Sequence, residues 1–146
     1  MPNYESVYEH HRLRVLADLI PRGQGLALDV GCNDGSITQV LDAHGFDAVG
    51  VDTDAAMVSA AKRSHPHLRF LEGSAETAEA LGRRKLTLCL EVIEHLDARQ
   101  QHALLESIAR STAQGGHLVL STPGRYSLYS LYERGRRGWR DRGTYD

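Results

Sequence analysis

Five short apolar runs punctuate the chain: LALDV at 26–30, AVGVD at 48–52, LRFL at 68–71, LTLCL at 86–90 and HLVLS at 117–121. Each is nearly continuous in hydrophobicity rather than alternating, which suits strands covered on both faces. Upstream, Tyr4, Val7, Tyr8, His11, Val15, Leu16, Leu19 and Ile20 fall at helical spacing and predict an amphipathic helix that Pro21 and Gly23 end. The segments between the runs carry helix-start signals: Ser36 and Gln39 have capping-box spacing, as do Asp97 and Gln100. A helix near 98–112 carries Leu104, Leu105, Ile108 and Ala109 on one side, and Gly115-Gly116 closes it. Strand, helix, strand, repeated, is the pattern of an α/β sheet wound from βαβ units. Ligands of such sheets bind outside the carboxyl ends of the strands, so the loops after residues 30, 52, 72, 90 and 121 carry the chemistry.

The first of those loops is a glycine turn. Gly31 and Gly35 bracket Cys32-Asn33-Asp34, with Ser36 opening the next helix. Glycine is needed where a Cβ would block a ligand or where φ must be positive, and the helix start beyond offers unpaired N–H groups. Many α/β proteins have such turns for packing alone. Asp52 adds weight, because it ends the second run 21 residues after Gly31, where an acid can take both hydroxyls of a ribose. A dinucleotide fingerprint would place glycine where Asn33 stands, and a P-loop would need Gly-Lys-Ser/Thr, which is absent. The turn therefore suits a nucleoside without a pyrophosphate. Asp29, inside the first run, adds an acid that repels phosphate and that can hold an ammonium group through ordered water.

LDVGCNDGSIT, VGVD, LEGSAE, LCLEVIEHLD and GGHLVLSTPGRYS, in this order and spacing, resemble the class I S-adenosylmethionine-dependent methyltransferases over roughly residues 26 to 126. The resemblance implies a Rossmann-like, doubly wound, mostly parallel sheet with helices on both faces. It implies that Asp29, Gly31, Cys32 and Gly35 line the methionine end of the cofactor, and that Asp52 holds the ribose. Thr53 and Met57 would lie near the adenine, Ser74, Ala75 and Glu76 would edge it, and Leu90 and Glu91 would lie beside the sulfonium. Asn33 departs from the glycine many members carry, but asparagine tolerates positive φ, so the turn keeps its shape.

LEVIEHLD sets Glu91, Glu94 and His95 within five residues, just past the fourth run. Three readings stand: a site for a hard divalent cation that orients an acceptor hydroxyl; His95 as a general base; or a turn in which Glu94 and His95 only cap and line the pocket wall. EVIEHL followed by an ST-P segment is similar to ubiquinone-pathway O-methyltransferases, and also to the enzymes that methylate the 2′-hydroxyl at the 3′ end of small RNAs. In the second family the cluster binds metal with a further histidine beyond the fifth strand. Here no histidine follows His117, so no metal is expected. Glu94 and His95 are the residues expected to face the acceptor.

Composition changes this picture in three places. The 146 residues, 41% hydrophobic, suffice for one domain, with an N-terminal helix to residue 22, a core over 26–122 and a tail over 123–146. Cys32 and Cys89 form no metal-ligand spacing and read as buried thiols of a reducing, cytoplasmic setting, and nothing is apolar for long enough to span a bilayer. From Arg125 onward six arginines face three acids, an excess of +3, so the rest carries −5 of the total −2. With Tyr126, Tyr129, Tyr132 and Trp139, that tail reads as a basic aromatic lid, as a contact for single-stranded nucleic acid, or equally as a mobile surface loop, and no nucleic-acid partner is expected of the weakly acidic whole chain. No strand is legible after residue 122, so the last two strands of a seven-stranded methyltransferase sheet are expected to be missing, and the exposed edge is expected to favour self-association. The leading expectation is methyl transfer from S-adenosylmethionine to a small-molecule acceptor, at oxygen. RNA 2′-O-methylation and a cofactor-binding module without turnover are the alternatives.

Overall fold

A computed structural model describes residues 14–122. Residues 14–19 are helical (α1), and the remaining elements follow as β1 (Leu26–Val30), α2 (Ser36–Ala43), β2 (Asp47–Asp52), α3 (Ala55–Ser64), β3 (Arg69–Glu72), β4 (Arg84–Leu90), α4 (Ala98–Ser111) and β5 (Thr112–Ser121). Short 3-10 turns occupy Thr77–Leu81 and Ile93–His95. The helix start expected at 4–13 and the tail at 123–146 lie outside the described residues. Among the described residues no helix is long and apolar enough to cross a membrane.

All four strand pairings are parallel, and the strand order is β3-β2-β1-β4-β5. This is the α/β sheet of βαβ units that the five apolar runs imply, and the Rossmann-like fold that the family resemblance implies. The order reverses direction between β1 and β4, and a crevice opens at that point beyond the strand ends. Alternation within the strands supplies two cores. On one face Ala27, Ala48, Leu86, Leu88 and Leu90 pack with Leu16 and Ile20 of the N-terminal segment and with Ile37 and Leu41 of α2. On the other, Leu28, Val30, Val49, Val51 and Cys89 meet Leu104 and Ile108 of α4. A third cluster joins Cys32 and Phe70 to Val58 and Ala61 of α3.

Two local expectations are corrected. Ser36 and Gln39 form no capping box: Gly35 is the N-cap of α2, and the Ser36 N–H instead donates to Asp34 Oδ1 at 3.1 Å. Gly115-Gly116 does not close α4 either. The helix ends at Ser111 and Thr112 already belongs to β5, so the glycines lie within the strand. There Gly115 takes φ 69°, and pairing with β4 slips between Arg84 and Leu86, an irregularity that glycine permits. The Asp97 and Gln100 capping box, by contrast, is formed in both directions, at 2.8 and 2.9 Å. β5 is an edge strand of the described sheet, with Leu118 and Leu120 exposed.

Candidate functional site

The glycine turn is fastened to the end of β2 by its own backbone. Gly31 and Cys32 donate N–H bonds to Val51 O at 2.8 and 3.0 Å, and Asn33 N–H donates to Asp52 Oδ2 at 2.9 Å. Asp52 Oδ1 takes the Asp54 N–H at 2.9 Å, which in turn sets Asp54 as the N-cap of α3. A carboxylate has about four acceptor positions, so these two bonds orient Asp52 and leave acceptor capacity on both oxygens. Asn33 takes φ 49°, the left-handed conformation that asparagine tolerates.

Three of the residues expected around the turn face inward. Asp29 is buried and accepts the Thr38 hydroxyl at 2.7 Å, so it ties β1 to α2. Cys32 is buried against α3, and its thiol is pushed up to about 12 by burial first and by Asp29 and Asp52 next. Gly35 is buried beneath the turn at φ 86°, where an added Cβ would meet the Phe70 ring at 2.7 Å.

A cleft of about 260 Å³ opens at the strand ends, lined by Val30, Gly31, Asp52, Thr53, Gly73, Ser74, Ala75 and Glu76 on one side. Val92, Leu96, Gln100, Ala103 and Leu104 complete it. Of the residues singled out from the sequence, Gly31, Asp52, Thr53, Ser74, Ala75 and Glu76 thus come together. Met57 sits half-buried in the first turn of α3 and Leu90 is buried in the α2-side core, both away from the lining. The second wall is not among the residues the sequence singles out. Its signal is present in part, because Leu104 falls on the inner face of its helix and Gln100 in its first turn.

The turn after β4 shapes that wall. Glu91 takes φ 59°, its N–H donates to Ser121 O at 3.0 Å, and its Oε1 accepts the Ser121 hydroxyl at 3.2 Å. Val92 is thereby laid over Gly31, so closely that a Cβ on Gly31 would stand 2.5 Å from Val92 Cγ2. Gln101 of α4 pins the following 3-10 turn with bonds to Ile93 O and Leu96 O, each 3.0 Å. Glu94 is partly buried, and its Oε2 has no hydrogen-bond partner among the described residues, while His95 is exposed. Glu94 also helps hold the Cys89 thiol up, at about 11, second to burial itself. Among the described residues no group of three or more His, Cys, Asp or Glu side chains is gathered to hold a metal ion.

Residues 7–145 match a family model described as a methyltransferase domain. The chain belongs to that methyltransferase family. It is similar to the ubiquinone biosynthesis O-methyltransferase of Rickettsia akari, at 28% identity over 127 residues, covering 82% of this chain and 50% of that protein. In three dimensions it resembles the PH0226 protein of Pyrococcus horikoshii, with a TM-score of 0.73 at 20% identity, covering 94% of this chain and 61% of that one. The magnesium protoporphyrin IX methyltransferase of Synechocystis with bound S-adenosylhomocysteine gives 0.72 at 20% identity, covering 94% and 65%. These likenesses confirm the methyltransferase fold. The chain spans about half the length of the curated relatives it matches.

Proposed function

We propose that the cleft binds S-adenosylmethionine and that the protein transfers its methyl group to a small-molecule acceptor, at oxygen. The observation that carries this reading is the union of the glycine turn with Asp52 through the Asn33 N–H, beside a cleft with apolar walls. The residues present fit the cofactor. Val30, Val92, Leu96 and Leu104 offer apolar surface to a base, and the oriented carboxylate of Asp52 offers acceptors to two ribose hydroxyls. Bound there, the cofactor supplies an electrophilic methyl on a sulfonium. The protein's own part is to align a nucleophile with it and to exclude water.

Glu94 and His95 are the groups we assign to the acceptor side. A carboxylate oxygen buried without a partner among the described residues suits a donor brought by a ligand, such as an acceptor hydroxyl. His95 beside it, exposed at the end of a 3-10 turn, carries an imidazole, the side chain that most often serves as a general base. Oxygen as the methylated atom is supported by the O-methyltransferase name of the relatives.

Calorimetric titration with S-adenosylmethionine and S-adenosylhomocysteine tests the cofactor reading directly. Micromolar binding is expected, and Asp52→Asn should weaken it by about ten- to a hundredfold, the worth of charge-assisted hydrogen bonds. A folded chain that takes up neither compound overturns the reading. Formation of S-adenosylhomocysteine with a phenolic acceptor mixture, insensitive to salt, is expected of small-molecule transfer. Binding of RNA that weakens steeply with salt would replace that acceptor class.

A further inference from the structure

Arg84 opens β4 and is 1% exposed, the largest of the fully buried side chains. Burying a guanidinium is costly unless it is paired, and here the pairing is sparse. Its Nη2 donates to Ala75 O at 3.1 Å, whereas Nε and Nη1 have no partner among the described residues. The acid that acts on it among the described residues is Glu79, which is itself engaged by Arg110 at 2.9 Å. An apolar side chain of similar volume would serve packing at least as well. What Arg84 provides beyond packing is a fixed donor for one carbonyl.

That carbonyl belongs to the loop that forms the cleft wall. Gly73, Ser74, Ala75 and Glu76 all line it, and Ala75 is fully buried beneath. The start of the loop is anchored to the end of β2 by the Gly73 N–H, which donates to Asp52 O at 2.8 Å. Beyond it the ties other than Arg84 are short and local, Ser74 N–H to Thr77 Oγ1 at 3.2 Å and the Ser74 hydroxyl to Glu76. Because a trans peptide sets N–H opposite to C=O, drawing Ala75 O inward to the guanidinium turns the Glu76 N–H away from the interior. Glu76 itself is exposed at the cleft.

We propose that Arg84 is a positioning residue: through Ala75 O it fixes the peptide plane that the 73–76 loop presents to the base of the bound cofactor. The inference rests on the cofactor reading above and extends it to selection of the base. A fixed N–H donor complements the N1 acceptor of adenine and opposes the N1–H of hypoxanthine, so the loop reads the base only while its peptide is held.

The test compares binding of S-adenosylhomocysteine and S-inosylhomocysteine, which differ only in that base, by calorimetry on the full chain. Wild type should prefer the adenine compound by at least about tenfold. Arg84→Met should lower that preference to within about twofold while melting within roughly 5 °C of wild type, since relief of a buried charge offsets the unpaired carbonyl. Arg84→Lys, which restores a donor, should recover part of the preference. A purely structural Arg84 would shift melting and leave the ratio alone. A wild-type ratio kept by Arg84→Met, or by Arg84→Leu should the methionine variant not fold, overturns the positioning role and leaves the cofactor reading standing. Equal binding of both compounds by wild type also overturns it. Binding of neither compound overturns the cofactor reading itself.

Discussion

After β1 the backbone enters the left-handed region at Gly31 (φ 73°), Asn33 (49°) and Gly35 (86°), whereas after β4 it does so at Glu91 (59°). The two turns pack against each other beside the cleft, yet the same backbone conformation is held in different ways. The first uses glycine, and its need for glycine comes from a neighbour as well as from φ, because Val92 of the second turn stands where a Gly31 side chain would begin. The second uses a glutamate, and the αL strain, on the order of 1 kcal/mol, is offset by two bonds to Ser121. The comparison teaches that one turn's composition is dictated by the other's position. Gly31 makes room for Val92, and Val92 becomes a wall of the site.

Breaking this relation at Gly31 should give the largest effect. Gly31→Ala meets both the positive φ and a 2.5 Å contact with Val92 Cγ2, so a loss of about 2 to 4 kcal/mol in urea denaturation is expected. Adding Val92→Ala removes the contact and leaves the dihedral cost. The double variant should therefore be less destabilised than the sum of the two single variants by about 1 kcal/mol or more. Strict additivity would show that the turns are independent, and that Gly31 is required for its dihedral alone and not to make room for Val92.

The first turn is legible in the sequence and the second only in part, for physical reasons. Continuous apolar runs mark strands covered on both faces, so the runs match β1 at its full extent and β2, β3 and β4 to within two residues of each end. Positive-φ glycines advertise themselves, and an acid at a strand end is a local signal, so Gly31 and Asp52 stand out, whereas the 74–76 loop comes into view only through the family resemblance. The start of β5 does not, because α4 runs into it at Thr112 with no loop and Gly115-Gly116 imitates a helix stop. The bond between Asp29 and the Thr38 hydroxyl is not legible, because Thr38 lies on a helix face that only tertiary packing brings near. Val92 is laid over Gly31 at the cleft where Glu91 bends the chain left-handed. Nothing in the residue type glutamate announces that.

The second turn offers a milder way to sharpen the contrast. Glu91→Gly relieves the dihedral strain, loses the side-chain bond to Ser121 and adds backbone freedom to the unfolded chain. These effects oppose one another, so stability should stay within about 1 kcal/mol of wild type, against the larger loss at Gly31. Urea denaturation of the two variants side by side measures the asymmetry. A loss at Glu91 as large as that at Gly31 would mean that Ser121 holds the second turn far more strongly than a 3.2 Å hydroxyl bond implies.

The smallest difference lies in the thiols beneath the turns. Cys32, within the first, is pushed up to about 12 by burial and then by Asp29 and Asp52; Cys89, two residues before Glu91, is pushed up to about 11 by burial and then by Glu94 and Asp29. Both folded values exceed the ordinary thiol value of 9.0, so between these limits the folded chain keeps protons that the unfolded chain has released. The stabilisation is whole below pH 9.0 and is lost as pH rises through about 11 for Cys89 and about 12 for Cys32. Thermal melts from neutral to alkaline pH should therefore decline above about pH 9, and Cys32→Ala should flatten that limb more than Cys89→Ala does, whatever each substitution does to the neutral plateau. In parallel, neither thiol should react with a disulfide reagent at about pH 8 until the chain is denatured. A Cys32 that reacts freely in the folded chain would show that the first turn opens to solvent, and would remove the contrast between a turn closed by packing and one closed by a hydroxyl bond.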